Sequence, residues 1–326
     1  MILKAAAKHL LYRGGGLSAF RRFRQDTLTV LLLHRVLPEG DPRARTADPG
    51  YTLRLETFER CLDAVRHWYQ PVSLSDIENA VRNRSKLPRN ALLVTFDDGW
   101  EDTARYAVPA LQSRGIPGVV FIATGAIGNE HTPWRDIAAC AWRAGVFGGP
   151  ASGAKNASSI EALWQWLESL PEEERIRCLD KAADDAGEAV RPLMMSPETL
   201  RRLAHEGFGL GGHGVSHTPL TKLADAESEL RKCGAEFREL TGRSPTSFAF
   251  PHGLYTRLEL QAAQRSGFDL IFTSDRHLNP LRDGRPLSSV FGRISISEED
   301  VTDSDGRFIP EKLAYWLTLQ PIKTLA

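Results

Sequence analysis

Ala91-Leu-Leu-Val-Thr-Phe96-Asp97-Asp98-Gly99 is an apolar run that ends in two adjacent carboxylates and a glycine. Ala91–Phe96 reads as a buried strand, and Gly99 permits a sharp turn directly after it. Acids at the carboxyl end of such a strand face the crevice where α/β sheets build their sites. Side chains alternate along extended backbone, so Asp97 and Asp98 point in different directions and can hold different jobs. One can bind a cation while the other handles protons. An N-cap role for Asp98, before a helix from about Thr103, is the competing reading.

The second informative stretch is Leu210-Gly-Gly-His213-Gly-Val-Ser-His217. Two histidines four apart suit a metal, either on one helical face or converging in a tight loop after a strand. Two histidines and one carboxylate with an open position form a recurrent catalytic zinc site. Asp98, His213 and His217 would complete that set and leave Asp97 as a base. Surface or capping histidines remain the plainer alternative for an isolated pair.

Working outward, seven short apolar segments bounded by Gly, Pro or Asp read as strands: Thr29–His34, Ala91–Phe96, Gly118–Ala123, Phe208–Gly212, Ser247–Phe250, Leu270–Thr273 and Gly292–Ile296. Helical stripes lie between them, such as Phe58, Leu62, Val65 and Tyr69, or Ala226, Leu230, Cys233, Phe237 and Leu240 before Gly242. This alternation predicts an α/β barrel or a doubly wound sheet. The interval from about 125 to 195 is expected to be a helical insertion, with Ile160, Leu163, Trp164, Leu167 and Leu170 on one face.

The 326 residues are 42% apolar and 25% charged, as in an ordinary globular protein. Forty-one basic and 41 acidic residues cancel, so no global pull toward nucleic acid exists. Residues 1–26 stand apart as a basic amphipathic segment, with Arg21, Arg22 and Arg24 and no acid before Asp26. It lacks the uninterrupted apolar core of a secretory signal. The expected location is therefore the cytoplasm of a bacterium, with peripheral contact at the inner membrane through residues 1–25 as an alternative to packing on the domain. Oligomeric state is not legible.

Thr95-Phe-Asp-Asp-Gly99, His213/His217 and Phe248-Ala-Phe-Pro-His-Gly253 resemble the first three motifs of the polysaccharide deacetylase family, carbohydrate esterase family four with its nodulation-type chitooligosaccharide deacetylase homology domain. Leu33-His34-Arg35-Val36 is similar to the first-strand signature of a His-Arg-Val bacterial subgroup. The likeness runs from about Thr27 to about Ile296. It implies a distorted (β/α)7 barrel over residues 27–326, interrupted by the insertion. It also implies hydrolytic removal of N-acetyl groups from a sugar or glycan precursor, with one divalent ion on Asp98, His213 and His217 (zinc first, or cobalt, nickel or manganese) and Asp97 as general base. An O-acetyl esterase, or an inactive glycan-binding member, is the alternative.

The chain departs from the family's pattern twice. Where the third motif has an arginine that orients the base, this chain has Ala249. Where the last strand has a histidine acid, Phe291-Gly-Arg293-Ile-Ser-Ile296 has none. Arg293, grouped with His252 and Trp134 on the substrate side, is expected to restore a cation beside Asp97, unless it pairs with a surface acid as a strand-end arginine can. His252 would offer its backbone amide to the developing oxyanion, and Trp134 a platform for a sugar ring, unless it is ordinary packing. His34 is the first choice for the acid that protonates the leaving amine, followed by His252 and His277. His131 is a further rim histidine.

Overall fold

Thr27–Leu33 and Ala91–Phe96 are buried at every position, as parallel strands covered on both faces must be. They pair in register from Leu28 opposite Ala91 to Leu33 opposite Phe96. The structure is a computed structural model that describes residues 16–128, 134–147, 158–187 and 194–325. Through these residues run β1 Thr27–Leu33, β2 Arg35–Leu37, β3 Thr52–Arg54, β4 Gln70–Pro71, β5 Ala91–Phe96, β6 Gly118–Ile122, β7 Gly209–Gly212, β8 Ser247–Ala249, β9 Leu270–Phe272, β10 Asn279–Arg282, β11 Arg285–Pro286, β12 Val290–Phe291 and β13 Ile294–Ser295.

The main sheet follows the order β11-β10-β1-β5-β6-β7-β8-β9-β12, and β13 pairs back onto β1. Val290–Phe291 lies parallel to β9, and three residues later Ile294–Ser295 lies parallel to β1. One broken stave therefore closes the sheet on itself, making a distorted seven-stave (β/α) barrel of β1, β5, β6, β7, β8, β9 and β12/β13. The break is stapled by Asn279, whose Nδ2 donates to the carbonyls of Leu28 and Gly292 while its Oδ1 accepts the Gly292 amide. Arg293 sits at this break.

All seven expected strands are present, with frayed ends trimmed. Of the last, expected over Gly292–Ile296, only Ile294–Ser295 is strand (β13), and β12 lies just before the expected run, because the Gly292 amide is taken by the Asn279 side chain and the Arg293 amide by the Asp275 carbonyl. The short β2/β3 and β10/β11 pairs were not expected.

Helices cover the outside through the faces that periodicity indicated. On Leu55–Trp68 the buried residues include Phe58, Leu62 and Val65, and on Ala226–Thr241 they are Leu230, Cys233 and Phe237. Each fully buried side chain of this size contributes about 1.5–3 kcal/mol. Helices Trp134–Arg143, Ile160–Ser169 and Glu172–Ala186 pack about their own cluster, with Leu163, Leu167 and Leu179 buried. The wall at β7 is almost side-chain free. A Cβ on Gly211 would lie 2.5 Å from both the Phe121 ring and Ser247 Oγ, so nothing larger than glycine fits there.

Candidate active site

The carboxyl end of β5 turns at once into Asp97, Asp98 and Gly99. Asp97 is tied to β1 by its amide, which donates to the Leu33 carbonyl at 3.0 Å. Asp98 has φ +76°, a left-handed conformation that costs an aspartate energy. Gly99 follows at φ +93°, and a Cβ there would press on Ile122 and Ile127. The turn gives the two carboxyl groups different partners, Arg293 for Asp97 and the two imidazoles for Asp98, although it does so through left-handed backbone and not by strand alternation.

Two staves along from β5, β7 delivers His213 at its exit. The loop beyond it reverses through Gly214 at φ +79° and His217 at φ +56°. Glu229 of helix Ala226–Thr241 pins this loop, with Oε1 accepting from the Val215 and Ser216 amides and the Ser216 hydroxyl, each at 2.9 Å. Both imidazoles converge on Asp98: Nε2 of His217 is 3.0 Å from its Oδ1, and Nε2 of His213 is 3.4 Å away. His213 Nδ1 meets the Ala249 carbonyl at 2.8 Å, which fixes the tautomer that leaves Nε2 unprotonated for a metal.

Asp98, His213 and His217 each offer one ligand atom, and these atoms lie within 4.8 Å of one another. Asp98 Oδ1 is fully buried with no hydrogen-bond donor of its own. A buried, donor-starved carboxylate oxygen facing two imidazole nitrogens is the donor set a divalent cation completes. Burial would push the Asp98 carboxyl up, but the imidazoles of His217 and His213, where they carry a proton toward it, outweigh burial and hold the pKa well below the usual carboxylate range.

Asp97 faces a different neighbour. Arg293 Nη1 donates to its Oδ1 at 2.6 Å and Nη2 to its Oδ2 at 2.7 Å, a two-pronged pair between groups almost wholly out of water. Arg293 Nε is satisfied by the Thr273 carbonyl at 2.9 Å. Burial alone would raise the Asp97 pKa; Arg293, with His213, drives it below the ordinary value. The guanidinium missing at Ala249 is therefore supplied from the barrel's last stave. Because Arg293 is completely buried, it serves the acid and not the substrate side with which the sequence grouped it.

The other expected site residues divide. His252 lies in the Pro251–Gly253 turn at φ +56°, its ring 4.6 Å from that of His217. His34 follows β1 half-buried; burial pushes its pKa below the usual histidine value, more than the two aspartates raise it. His277 is packed against Gly292 rather than beside the histidine pair. Trp134 packs in the insertion's helical cluster beneath the Arg175 guanidinium, 5.2 Å from its ring centroid, the packing role its position left open. His131 lies outside the described residues. Sequence reasoning missed Tyr51, 56% exposed and edge-on to His34 at 4.7 Å, and Trp100, whose Nε1 donates to Asp98 Oδ2 at 2.7 Å. An aromatic directly after Asp-Asp-Gly was the available signal for Trp100.

With this geometry in place, comparison with known proteins is direct. A family model described as polysaccharide deacetylase matches residues 84–271. The Bacillus subtilis (strain 168) protein YxkH, provisionally named a polysaccharide deacetylase, is 18% identical over 209 residues, or 64% of this chain and 53% of its own. The chain thus spans about half the length of that curated relative. Among solved structures, IcaB from Ammonifex degensii superposes with TM-score 0.57 at 21% identity, covering 90% of this chain and 97% of that one. The Streptococcus pyogenes deacetylase PplD, solved in complex with acetate, gives 0.58 at 15% identity over 89% and 98%. At such identities the likeness is one of fold.

Proposed function

The chain belongs to the polysaccharide deacetylase family, and from that membership we propose that it hydrolyses acetyl groups from an N-acetylated sugar or glycan precursor with the help of one divalent cation. The observation that carries this reading is the buried, donorless Asp98 Oδ1 set 3.0 and 3.4 Å from two imidazole nitrogens. Asp98, His213 and His217 would hold the ion, zinc first among those that accept mixed nitrogen and oxygen donors. When bound, it supplies Lewis acidity toward the acetyl carbonyl and makes nearby water more acidic.

The protein's own groups do the rest. Asp97, ionised through Arg293, accepts a proton from the attacking water. The His252 amide, on a turn beside His217, would stabilise charge on the carbonyl oxygen. His34 is held neutral at rest, so it can protonate the leaving amine only after a proton reaches it during turnover. If it fills that role, His34→Ala will change the pH profile of kcat. An unchanged profile removes the assignment.

Substrate chemistry is tested by acetate release from matched N-acetyl and O-acetyl saccharides, with and without chelator. The proposal expects release from the N-acetyl substrate that chelation stops and metal restores, and loss of bound metal in His217→Ala. Release from O-acetyl sugars alone would make the protein an esterase. Metal-independent release, or none, would refute the reading.

For its place of action we propose the cytoplasm, with peripheral contact at an anionic membrane as the alternative to packing of the N-terminal segment on the domain. No described helix is long and apolar enough to cross a bilayer. Helix Gly16–Phe23 buries Leu17 yet leaves Phe23 91% exposed beside Arg21 and Arg22, a basic and aromatic surface suited to anionic headgroups. Co-sedimentation with phosphatidylglycerol vesicles, absent with phosphatidylcholine and weakened in Phe23→Ser, is expected. Equal recovery with both lipids would overturn it.

A further inference from the structure

Two buried side chains next to the site have no part in the chemistry above: Arg35, from the Leu33–Val36 stretch, and Trp100. Asp98 turns Oδ1 toward the imidazoles and gives Oδ2 to the Trp100 indole N–H at 2.7 Å. Trp100 is itself locked. It is 3% exposed, packs with Ala123, Ala126 and Met194, and pairs its backbone with Met194. The Arg35 guanidinium lies over its ring, 4.6 Å from the centroid. Arg35 in turn is gripped by Asp102, whose Oδ2 accepts from Nε at 2.9 Å and from Nη2 at 2.7 Å. The other oxygen of Asp102 takes the Val36 amide at 3.2 Å. All three residues are buried.

We infer that Trp100, clamped by the Arg35–Asp102 pair, is a positioning residue that dedicates Asp98 Oδ1 to the metal. An indole offers a donor and no acceptor, so it can only hold the carboxylate and never compete with it for the cation. Its bond to an ionised oxygen is of the stronger, charge-assisted kind. The cation stacked on the ring face fixes the indole plane and withdraws electron density from the N–H. With Oδ2 engaged, the carboxylate cannot rotate to present both oxygens, and the left-handed turn at Asp98 is held against relaxation. Groups in this supporting position typically govern metal affinity by 10- to 100-fold.

The inference rests on the assignment of Asp98, His213 and His217 as metal ligands, and the experiment separates the two. Metal-stripped full-length protein is titrated with zinc or cobalt against a chromophoric chelator. In Trp100→Phe, which keeps most of the ring volume and loses the N–H, metal binding is expected to weaken by about 10- to 100-fold. The rise in thermal midpoint on adding metal should be smaller in the variant than in wild type, which a mere packing role, lowering the metal-free and metal-bound midpoints alike, would not give. On 15N-labelled wild-type protein, which avoids any folding defect, one of the seven indole N–H resonances should shift when metal is added. Affinity in Trp100→Phe within about twofold of wild type, or seven unmoved indole signals, overturns the positioning role while leaving the ligand assignment intact. A wild-type protein that takes up no metal overturns both.

Discussion

Asp97→Asn is expected to lower acetate release by about 10²- to 10⁴-fold, the usual worth of a positioned general base, while the protein still binds one divalent ion. The two halves of this result come from one turn. Asp98 is turned to the imidazoles, whereas both Asp97 oxygens are taken up by the Arg293 fork. Asparagine keeps the size and one acceptor oxygen but cannot receive a proton, and its amide group would face a guanidinium donor. The Asp97 carboxylate lies 3.9 Å from His213 Nε2 and offers no atom to the three-residue group, so the ligand atoms need not move. Acetate assays alongside metal analysis of the same preparation check both halves. A variant that loses the ion would show that Asp97 is part of the cage, and one that keeps its rate would end its role as base.

The second large effect is expected from Arg293→Ala. Arg293 and Asp97 are both buried, and removing one partner of such a pair commonly costs about 3–5 kcal/mol because a charge is stranded. Asp97 can escape by taking up a proton, and this gives the variant a readable pH signature. In the native protein the Asp97 pKa is depressed, so the pair's stabilisation is present above the ordinary carboxylate range and is lost as pH falls through the depressed value. Without the guanidinium, burial acts unopposed and raises that pKa. The acidic limb of the rate profile should move to higher pH, and activity near neutrality should fall. Arg293→Lys keeps a charge but not the fork, and should fall between the two. Unfolding midpoints and rate profiles of the three proteins provide the check; an acidic limb that stays in place would show that Arg293 does not set the base.

How far the sequence could have been read without coordinates varies along the chain. Ala91–Phe96 was legible to the residue, because five apolar residues and a β-branched threonine between a turn and two acids leave little choice. The insertion's helix Ile160–Ser169 was also legible, since its buried residues recur at helical spacing. The count of seven staves needed the family likeness, for short apolar runs do not announce how many close a barrel. The cage was visible as a pattern, Asp98 with His213 and His217, but not its tension: left-handed backbone at Asp98 and His217 cannot be inferred from residue types that seldom adopt it. The Arg293–Asp97 pair spans 196 positions, and it was foreseen only through the family arginine missing at Ala249; its two-pronged geometry was not legible. The indole bond to Asp98 was hidden altogether, because residues two apart in a turn carry no periodicity to read.

The span that matches the family model stops at residue 271, short of Arg293. A gene trimmed to that boundary would still encode Asp97, Asp98, His213 and His217, yet would discard the counter-ion that keeps the first of them deprotonated. Trimming would also remove the stretch that seals the cylinder against its opening strand. Residues beyond 271 therefore belong to the barrel and to the Asp97 ion pair, and a truncation at the family boundary should leave neither intact.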